Sequence, residues 1–211
     1  MHIVVVGGGF GGVKTALELS NKPNVQVTLV SKGSNFEYHG ALYRTATGHS
    51  PLEVTIPLRE IFKHSHNVSI VLDEATKLDV KNDRIESSTG NSYKYDSLVL
   101  AMGNQINYFG IDGMDKNSAT LVTVPDTIDL RNKIVKLVKS DVLHPHIVIV
   151  GAGATGVELS GDIQSFADVV ARQYGRTVKR FRVSIVEGSD RVLPGLKPKI
   201  SEKALLRLSQ L

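Results

Sequence analysis

Two stretches of the chain share one hydrophobic pattern. Ile3-Val4-Val5-Val6 follows His2 and runs into glycines, and Ile147-Val148-Ile149-Val150 follows His146 and does the same. Short, continuous, β-branched runs of this kind predict strands buried on both faces of a parallel sheet. Past the glycines each copy takes up helical periodicity, over 13–20 and 157–172, and then enters a second strand, over 25–30 and 182–186. Strand, glycine turn, helix, strand is the βαβ unit. Residues 2–13 and 146–157 align without a gap. The interval is too long for a solenoid repeat, so each copy is expected to open its own domain.

Less regular elements lie between the copies. Residues 67–73 predict a strand, with Asp79-Val80 and Arg84-Ile85 as pieces of another. Residues 92–95 lead into a buried strand over 96–101, stopped by Gly103. The stretch 104–118, rich in Asn, Gly and Asp, predicts the interdomain linker. Apolar spacing over 126–138 predicts a connecting helix capped by Asp126 after Pro125. His144-Pro145 then breaks the chain before the second copy. The expected fold class is α/β, with two Rossmann-like βαβ domains, residues 1–109 and 110–211, the second incomplete.

Composition narrows the chemistry. Apolar residues make up 41% and charged residues 22% of the chain, ordinary for a globular protein. No apolar run approaches the roughly eighteen residues of a membrane-spanning helix. The apolar start is too short, and lacks the basic leader, for a secretory signal. A net charge of +4 with dispersed cations does not argue for nucleic acid. The basic run 172–182 reads better as a solvated helix end and loop than as a contact for an anionic membrane. There is no cysteine, which removes disulfides, thiolate metal sites and any dithiol partner for a flavin within these residues. His39, His49, His64 and His66 show no ligand spacing, so no metal site is expected.

The candidate chemistry sits in the glycines. Gly7-Gly8-Gly9-Phe10-Gly11-Gly12 is a G-x-G-x-x-G between a strand and a helix, the context in which that motif binds a dinucleotide. Gly7 permits the tight turn, Gly9 lets backbone approach a pyrophosphate, and Gly12 lets the helix pack on the strand. The helix then points free N–H groups and its positive dipole end at the phosphates. Gly151-Ala152-Gly153-Ala154-Thr155-Gly156 repeats the loop. Glu187 ends the following strand, where a carboxylate accepts from ribose hydroxyls and repels a 2′-phosphate, favouring NAD over NADP. The alternatives are a surface glutamate and, given nearby Arg191, an NADP site. The interval from Gly156 exceeds the usual spacing of about 20 residues, an excess assigned to a longer helix and the basic turn over 175–180. The first unit has Ser31 at the matching position, a hydroxyl without the charge-assisted grip of an acid.

The order of these motifs resembles the two-dinucleotide-domain flavoproteins of the pyridine nucleotide-disulfide oxidoreductase family, and within them the type II NADH dehydrogenase-like group. The first loop is similar to that family's FAD site. Asn35-Phe36-Glu37-Tyr38-His39-Gly40-Ala41-Leu42-Tyr43-Arg44 resembles its segment passing near the flavin. Residues 95–103 and 107–113 resemble the strand and turn that lead from the FAD domain toward the NAD domain. Residues 151–162 resemble its NADH site, and Arg191-Val192-Leu193-Pro194 its turn after the strand-end acid. The resemblance covers nearly the whole chain and implies FAD and NAD(H) as cofactors. It places Gly7, Gly9, Phe10, Gly11, Gly12, Ser31, Lys32, Ala101 and Gly103 near FAD, with Glu74-Ala75 offering backbone contacts to adenine. It places Gly151, Gly153, Ala154, Thr155, Gly156 and Glu187 around NADH. Glu158 falls near the nicotinamide–flavin junction as the candidate catalytic residue; the alternative is a first-turn acid favoured by the helix dipole.

By this resemblance the function is an FAD-dependent oxidoreductase that passes hydride from NADH to flavin and then electrons to a quinone or other small acceptor. The absence of cysteine disfavours relatives that use an adjacent disulfide or reactive thiol. The competing reading is a non-catalytic dinucleotide-binding module, favoured by Ser31. Residues 204–211 read as an amphipathic helix cut off without a cap, and the second unit has its first two strands alone. The expectation is therefore a fragment or truncated form, lacking the segment that returns to the FAD domain. The open sheet edge motivates a homodimer. The resemblance further implies peripheral membrane contact through a C-terminal part, and a location in the cytoplasm or at the inner face of the membrane.

Overall fold

The structure, a computed structural model, describes residues 1–177 and 179–210. Val178 of the basic turn and Leu211 of the expected last helix lie outside the described residues. The chain forms two compact units, Met1–Glu37 with Thr55–Met114, and Tyr38–Val54 with Asp115–Leu211.

The first unit begins β1 (His2–Val6), α1 (Phe10–Leu19), β2 (Gln26–Ser31) and β3 (Asn35–Glu37). The chain enters the second unit for α2 (Leu42–Ala46), flanked by 3-10 turns at His39–Ala41 and Pro51–Glu53. It returns to the first for β4 (Thr55–Pro57), α3 (Leu58–Ile61), β5 (Val68–Leu72), β6 (Ala75–Asp79), β7 (Arg84–Ser87), β8 (Ser92–Lys94) and β9 (Ser97–Leu100). After α4 (Met114–Asn117) come α5 (Val124–Lys139), β10 (His146–Val150), α6 (Ala154–Gln173), β11 (Arg182–Val186) and α7 (Pro198–Leu208).

The first unit is built on a four-stranded parallel sheet in the order β5-β2-β1-β9. Its central strand β1 explains its own composition. Ile3 and Val5 pack with Val13 and Ala16 of α1, Leu58 and Phe62, while Val4 and Val6 pack with Val30, Ile85, Tyr93 and Leu98. Both faces are covered, so every position is apolar. The cover on the second face includes the antiparallel sheet β6-β7-β8.

Several expectations are corrected here. The stretch 92–101 is two strands: β8 pairs antiparallel with β7, and β9 pairs parallel with β1. The chain turns between them where Tyr95 N–H donates to Asp83 O and Asp96 N–H to His2 O. The second strand is not buried, since Leu100 is 50% exposed; β9 is a sheet edge with one neighbour. The pieces at 79–80 and 84–85 are also separate, because Val80–Asn82 is a 3-10 turn with Asp83 left-handed at its end.

Further corrections fall in the second unit, whose core is Ile134 and Val138 of α5, Ile149 of β10, Leu159, Ile163, Ala167 and Val170 of α6, and Phe181. Here β10 and β11 make a two-stranded parallel sheet. Ile147 and Ile149 face this core, but Val148 and Val150 are each 53% exposed, so the strand is buried on one face and not on both. The connecting helix begins earlier than expected, and Asp126 is not its cap. Thr123 is the cap: its hydroxyl accepts from Asp126 N–H at 3.3 Å, while Asp126 Oδ2 accepts from Thr123 N–H at 2.9 Å. This reciprocal arrangement satisfies two end donors, and Val124-Pro125 occupies the first turn where a missing N–H costs nothing. Thr123→Ala should cost about 1 kcal/mol of stability, read as a lowered urea midpoint with unchanged slope.

Candidate nucleotide-binding loops

Both glycine loops are built by the same contacts. Gly7 N–H donates to Val30 O at 2.8 Å, and Gly151 N–H to Val186 O at 2.8 Å, each tying the end of a first strand to the end of the second. Gly7 has φ +115° and Gly151 φ +106°, a region that side chains strain to enter. A Cβ at Gly12 would lie 1.8 Å from Gly7 O, and one at Gly156 2.1 Å from Gly151 O. The last glycine therefore seats the helix on the carbonyl of the first, a tighter requirement than the expected contact with the strand. A Cβ at Gly7 would also strike Ala101 O at 2.1 Å.

Gly9 and Gly153 differ in kind. Each is the N-cap of its helix in extended conformation, and a Cβ at either would meet no protein atom within 4 Å. Neither packing nor dihedral angle demands glycine there. Among the described residues no side chain caps α1 or α6, and neither helix has an acid in its first turn. The first-turn N–H groups stand at the carboxyl edge of a parallel sheet, where α/β folds take ligands. Both helices start at the loop, three residues before the expected positions, because the seating holds Gly11 and Gly12 in helix despite their low propensity.

Other predicted residues of the first site gather at this edge. Phe10 is half exposed, with its ring 4.9 Å and edge-on from Phe36. Gly11 lies beside Ala101, whose N–H donates to Val6 O at 2.8 Å, and Gly103 turns with φ +75°. Ser31 is buried under Gly8, where a Cβ would lie 2.3 Å from its hydroxyl oxygen. That hydroxyl donates to Gly33 O at 2.7 Å. Lys32 forms a 3.0 Å ion pair with Glu74 Oε1. Ala75 opens β6 and packs against the Val4–Val6 face.

A cluster invisible in the sequence lies beneath Glu74. Asp73 is buried, and its Oδ2 accepts from Thr89 at 2.6 Å, Tyr93 at 2.6 Å and Asn91 at 3.4 Å. Its Oδ1 accepts from Glu74 N–H at 2.8 Å, and its own N–H donates to Ser31 O at 2.9 Å. These donors, Thr89 and Tyr93 foremost, hold the carboxyl far below the usual carboxylate range. The sequence signal was an acid at a strand end; partners sixteen to twenty residues away carried no local pattern.

In the second loop Glu187 Oε2 accepts from Ala152 N–H at 2.7 Å and Oε1 from Ser189 N–H at 2.9 Å. These bonds, that of Ala152 first, lower its pKa. Ala152 O in turn accepts from Leu193 N–H at 2.7 Å, so the turn after Glu187 closes on the loop. The Arg191 guanidinium donates to Pro194 O at 2.8 Å within this turn. Ala154 and Thr155 are exposed on the first turn of α6. Glu158 lies one turn on, exposed, with its carboxyl raised by partial loss of solvent and then by the like charge of Asp162. The segment 38–54 has its own ion pair, Arg44 to Glu53 at 2.9 Å, with His49 beside it. A groove of ≈ 380 Å³ between residues 47–49 and α6 has no residue of the second loop in its lining. Among the described residues no three His, Asp or Glu come together as a metal site, and no helix is long and apolar enough to cross a membrane.

The paired loops define a protein with two Rossmann-like βαβ units. The chain belongs to the pyridine nucleotide-disulphide oxidoreductase family, whose model matches residues 1–211. It is 32% identical over 225 residues to type II NADH:quinone oxidoreductase NdhA of Mycobacterium tuberculosis, covering all of this chain and 48% of NdhA. Over the same coverage it is 28% identical to that organism's type II NADH:quinone oxidoreductase Ndh. The structure of NDH2 from Plasmodium falciparum in complex with NADH superposes with TM-score 0.85 at 25% identity, over 98% of this chain and 46% of that one. The chain thus spans about half the length of the curated relatives it matches.

The Asp73 carboxyl generates a pH test. Its folded pKa lies below the unfolded one, so its stabilisation is complete above the ordinary carboxylate pKa of about 4 and fades as pH falls toward the folded value. Asp73→Asn should lower the thermal midpoint most at neutral pH, and the two curves should converge as pH falls below about 4. A constant offset down to pH 2 would remove the carboxylate from the account.

Proposed function

We propose that the chain is the nucleotide-binding portion of an FAD-dependent NADH oxidoreductase, with FAD on the first loop, NADH on the second, and a quinone or other small molecule as electron acceptor. The observation that carries this is the open space at Gly9 and Gly153, glycines that no protein atom requires, at the mouths of two uncapped helices. Such a position fits a diphosphate approaching backbone N–H groups. Names of relatives, two NADH:quinone oxidoreductases and an NADH complex, support the donor and the acceptor class.

The first loop, Ser31, Lys32, Ala75, Ala101 and Gly103 form the FAD side of this reading. The second loop with Ala154, Thr155 and Glu187 forms the NADH side. Each Glu187 oxygen already accepts one backbone bond and keeps a lone pair for a ribose hydroxyl, while its charge repels a 2′-phosphate. That charge favours NAD over NADP, while Arg191 donates through one nitrogen to Pro194 O. Glu158, with its raised pKa, is the candidate for handling a proton near the redox centre. When bound, a flavin supplies two-electron chemistry, and the residues here bind and orient it. The functional division is 1–109 for FAD and 110–211 for NAD. Pairing of two copies and contact with the inner face of a membrane belong to the same reading. A second reading, a non-catalytic dinucleotide-binding module, is favoured by Ser31, whose hydroxyl hydrogen is already given to Gly33.

The two readings separate in a cuvette. The purified chain should be yellow and should bleach on anaerobic addition of NADH. Gly9→Val and Gly153→Val fill open space at extended dihedrals, so both should keep the melting temperature of the cofactor-free wild type. Gly9→Val should be colourless; Gly153→Val should stay yellow and bind NADH at least about tenfold more weakly. A colourless wild type that still binds an adenine dinucleotide would establish the module instead.

A further inference from the structure

Where the second unit ends its second strand in Glu187, the first ends its own in Ser31, followed by Lys32. Ser31 is 4% exposed, and its hydroxyl hydrogen goes to Gly33 O. It is poorly placed to replace an acid that accepts from ribose hydroxyls. Another carboxylate stands at the same sheet edge. Strands β2 and β5 are paired in register up to Ser31 opposite Leu72, so Glu74 leaves β5 beside the end of β2. Its side chain extends toward that end, since Oε1 lies 3.0 Å from Lys32 Nζ.

The backbone of Glu74 is fixed independently of that ion pair. Its N–H donates to buried Asp73 at 2.8 Å, its carbonyl accepts from Ser88 N–H at 2.9 Å, and Asp73 N–H donates to Ser31 O. The ion pair is exposed on both sides, so its Coulomb contribution is small and it orients more than it stabilises. A half-exposed carboxylate on a rigid base, next to the first glycine loop and one strand over from the usual position, has free lone pairs for two hydroxyls.

We propose that Glu74 reads the adenosine ribose of the dinucleotide bound at the first loop, replacing in position and charge the strand-end acid that Ser31 lacks. Asp73 and Lys32 are its positioning residues. This rests on the first loop's being an FAD site, as argued above.

The test measures recognition rather than turnover. FAD binding to the full chain is followed by quenching of flavin fluorescence, and ADP and 2′-deoxy-ADP compete for the site. Reading FAD displacement confines the signal to the first loop even though ADP also fits the second. The wild type should prefer ADP to 2′-deoxy-ADP by about tenfold, the size of one hydrogen bond to a charged group. Glu74→Gln, which keeps shape and removes charge, should reduce that preference to about twofold without shifting the melting temperature. A preference equal in wild type and variant would assign ribose reading elsewhere and overturn the proposal, as would its absence from the wild type. Failure of the wild type to bind FAD at all would instead overturn the FAD assignment of the loop, and this inference with it.

Discussion

The carbonyl of the first glycine in each loop rests against the α-carbon of the last. Gly7 O against Gly12 and Gly151 O against Gly156 leave no room for even one added carbon. Two consequences follow from that single contact. The first glycine must turn with positive φ, since its N–H is already committed to the end of the neighbouring strand. The helix must then begin within three residues, which throws its first-turn N–H groups just past the strand ends. Strand pair, turn and helix become one rigid piece, and the middle glycine is left facing open space. The site is a by-product of how the helix is seated.

On this common scaffold the two loops diverge one residue further in. In the second, Glu187 reaches up to Ala152 N–H, and the alanine side chain is fully buried. In the first, Ser31 sits directly beneath Gly8 and excludes any side chain there. An acid long enough to reach the loop and a serine packed under it are alternative ways to support the same turn. They leave different electrostatics at the mouth: a carboxylate held ionised by backbone donors in one, a neutral hydroxyl with a neighbouring Lys–Glu pair in the other. The same backbone geometry therefore carries different local charge patterns at its two mouths.

How much of this the sequence disclosed follows from the range of the forces involved. The glycine loops, β1, α1, β2, β5, α6 and β11 were legible because their determinants are local: β-branched runs, glycine spacing and helical periodicity. The fold class was legible for the same reason. The burial of β10 was not. His2–Val6 and His146–Val150 carry nearly the same residues, yet Val4 is fully buried and Val148 half exposed. Burial depends on which neighbours cover a face, and the antiparallel sheet that covers Val4 has no counterpart over Val148 among the described residues of the second unit. The split of β8 from β9 was hidden likewise, since Tyr95 and Asp96 turn the chain through bonds to Asp83 and His2. For α5 the expectation missed by one motif: Asp126 is the third residue of a capping box whose hydroxyl partner, Thr123, precedes Pro125. The positions of Ser31, Lys32 and Glu187 at the sheet edges could be read, but not what their side chains hold.

Asp73 shows why such a residue escapes a motif search and still matters to a binding edge. One residue gathers several strand ends: the Asp73 N–H holds the end of β2, and its carboxylate holds the start of β6 and the hairpin between β7 and β8. A buried charge with this many donors is costly to remove but adds little net stability over an apolar substitute; what it fixes is arrangement. Here the arrangement fixed is the chain just past Ser31 and Leu72, where the paired register of β2 and β5 ends. The glycines set the two loops through backbone packing alone. Beyond the ladder the chain is held by the ionised Asp73 side chain together with backbone bonds from Asp73 N–H to Ser31 O and from Ser88 N–H to Glu74 O.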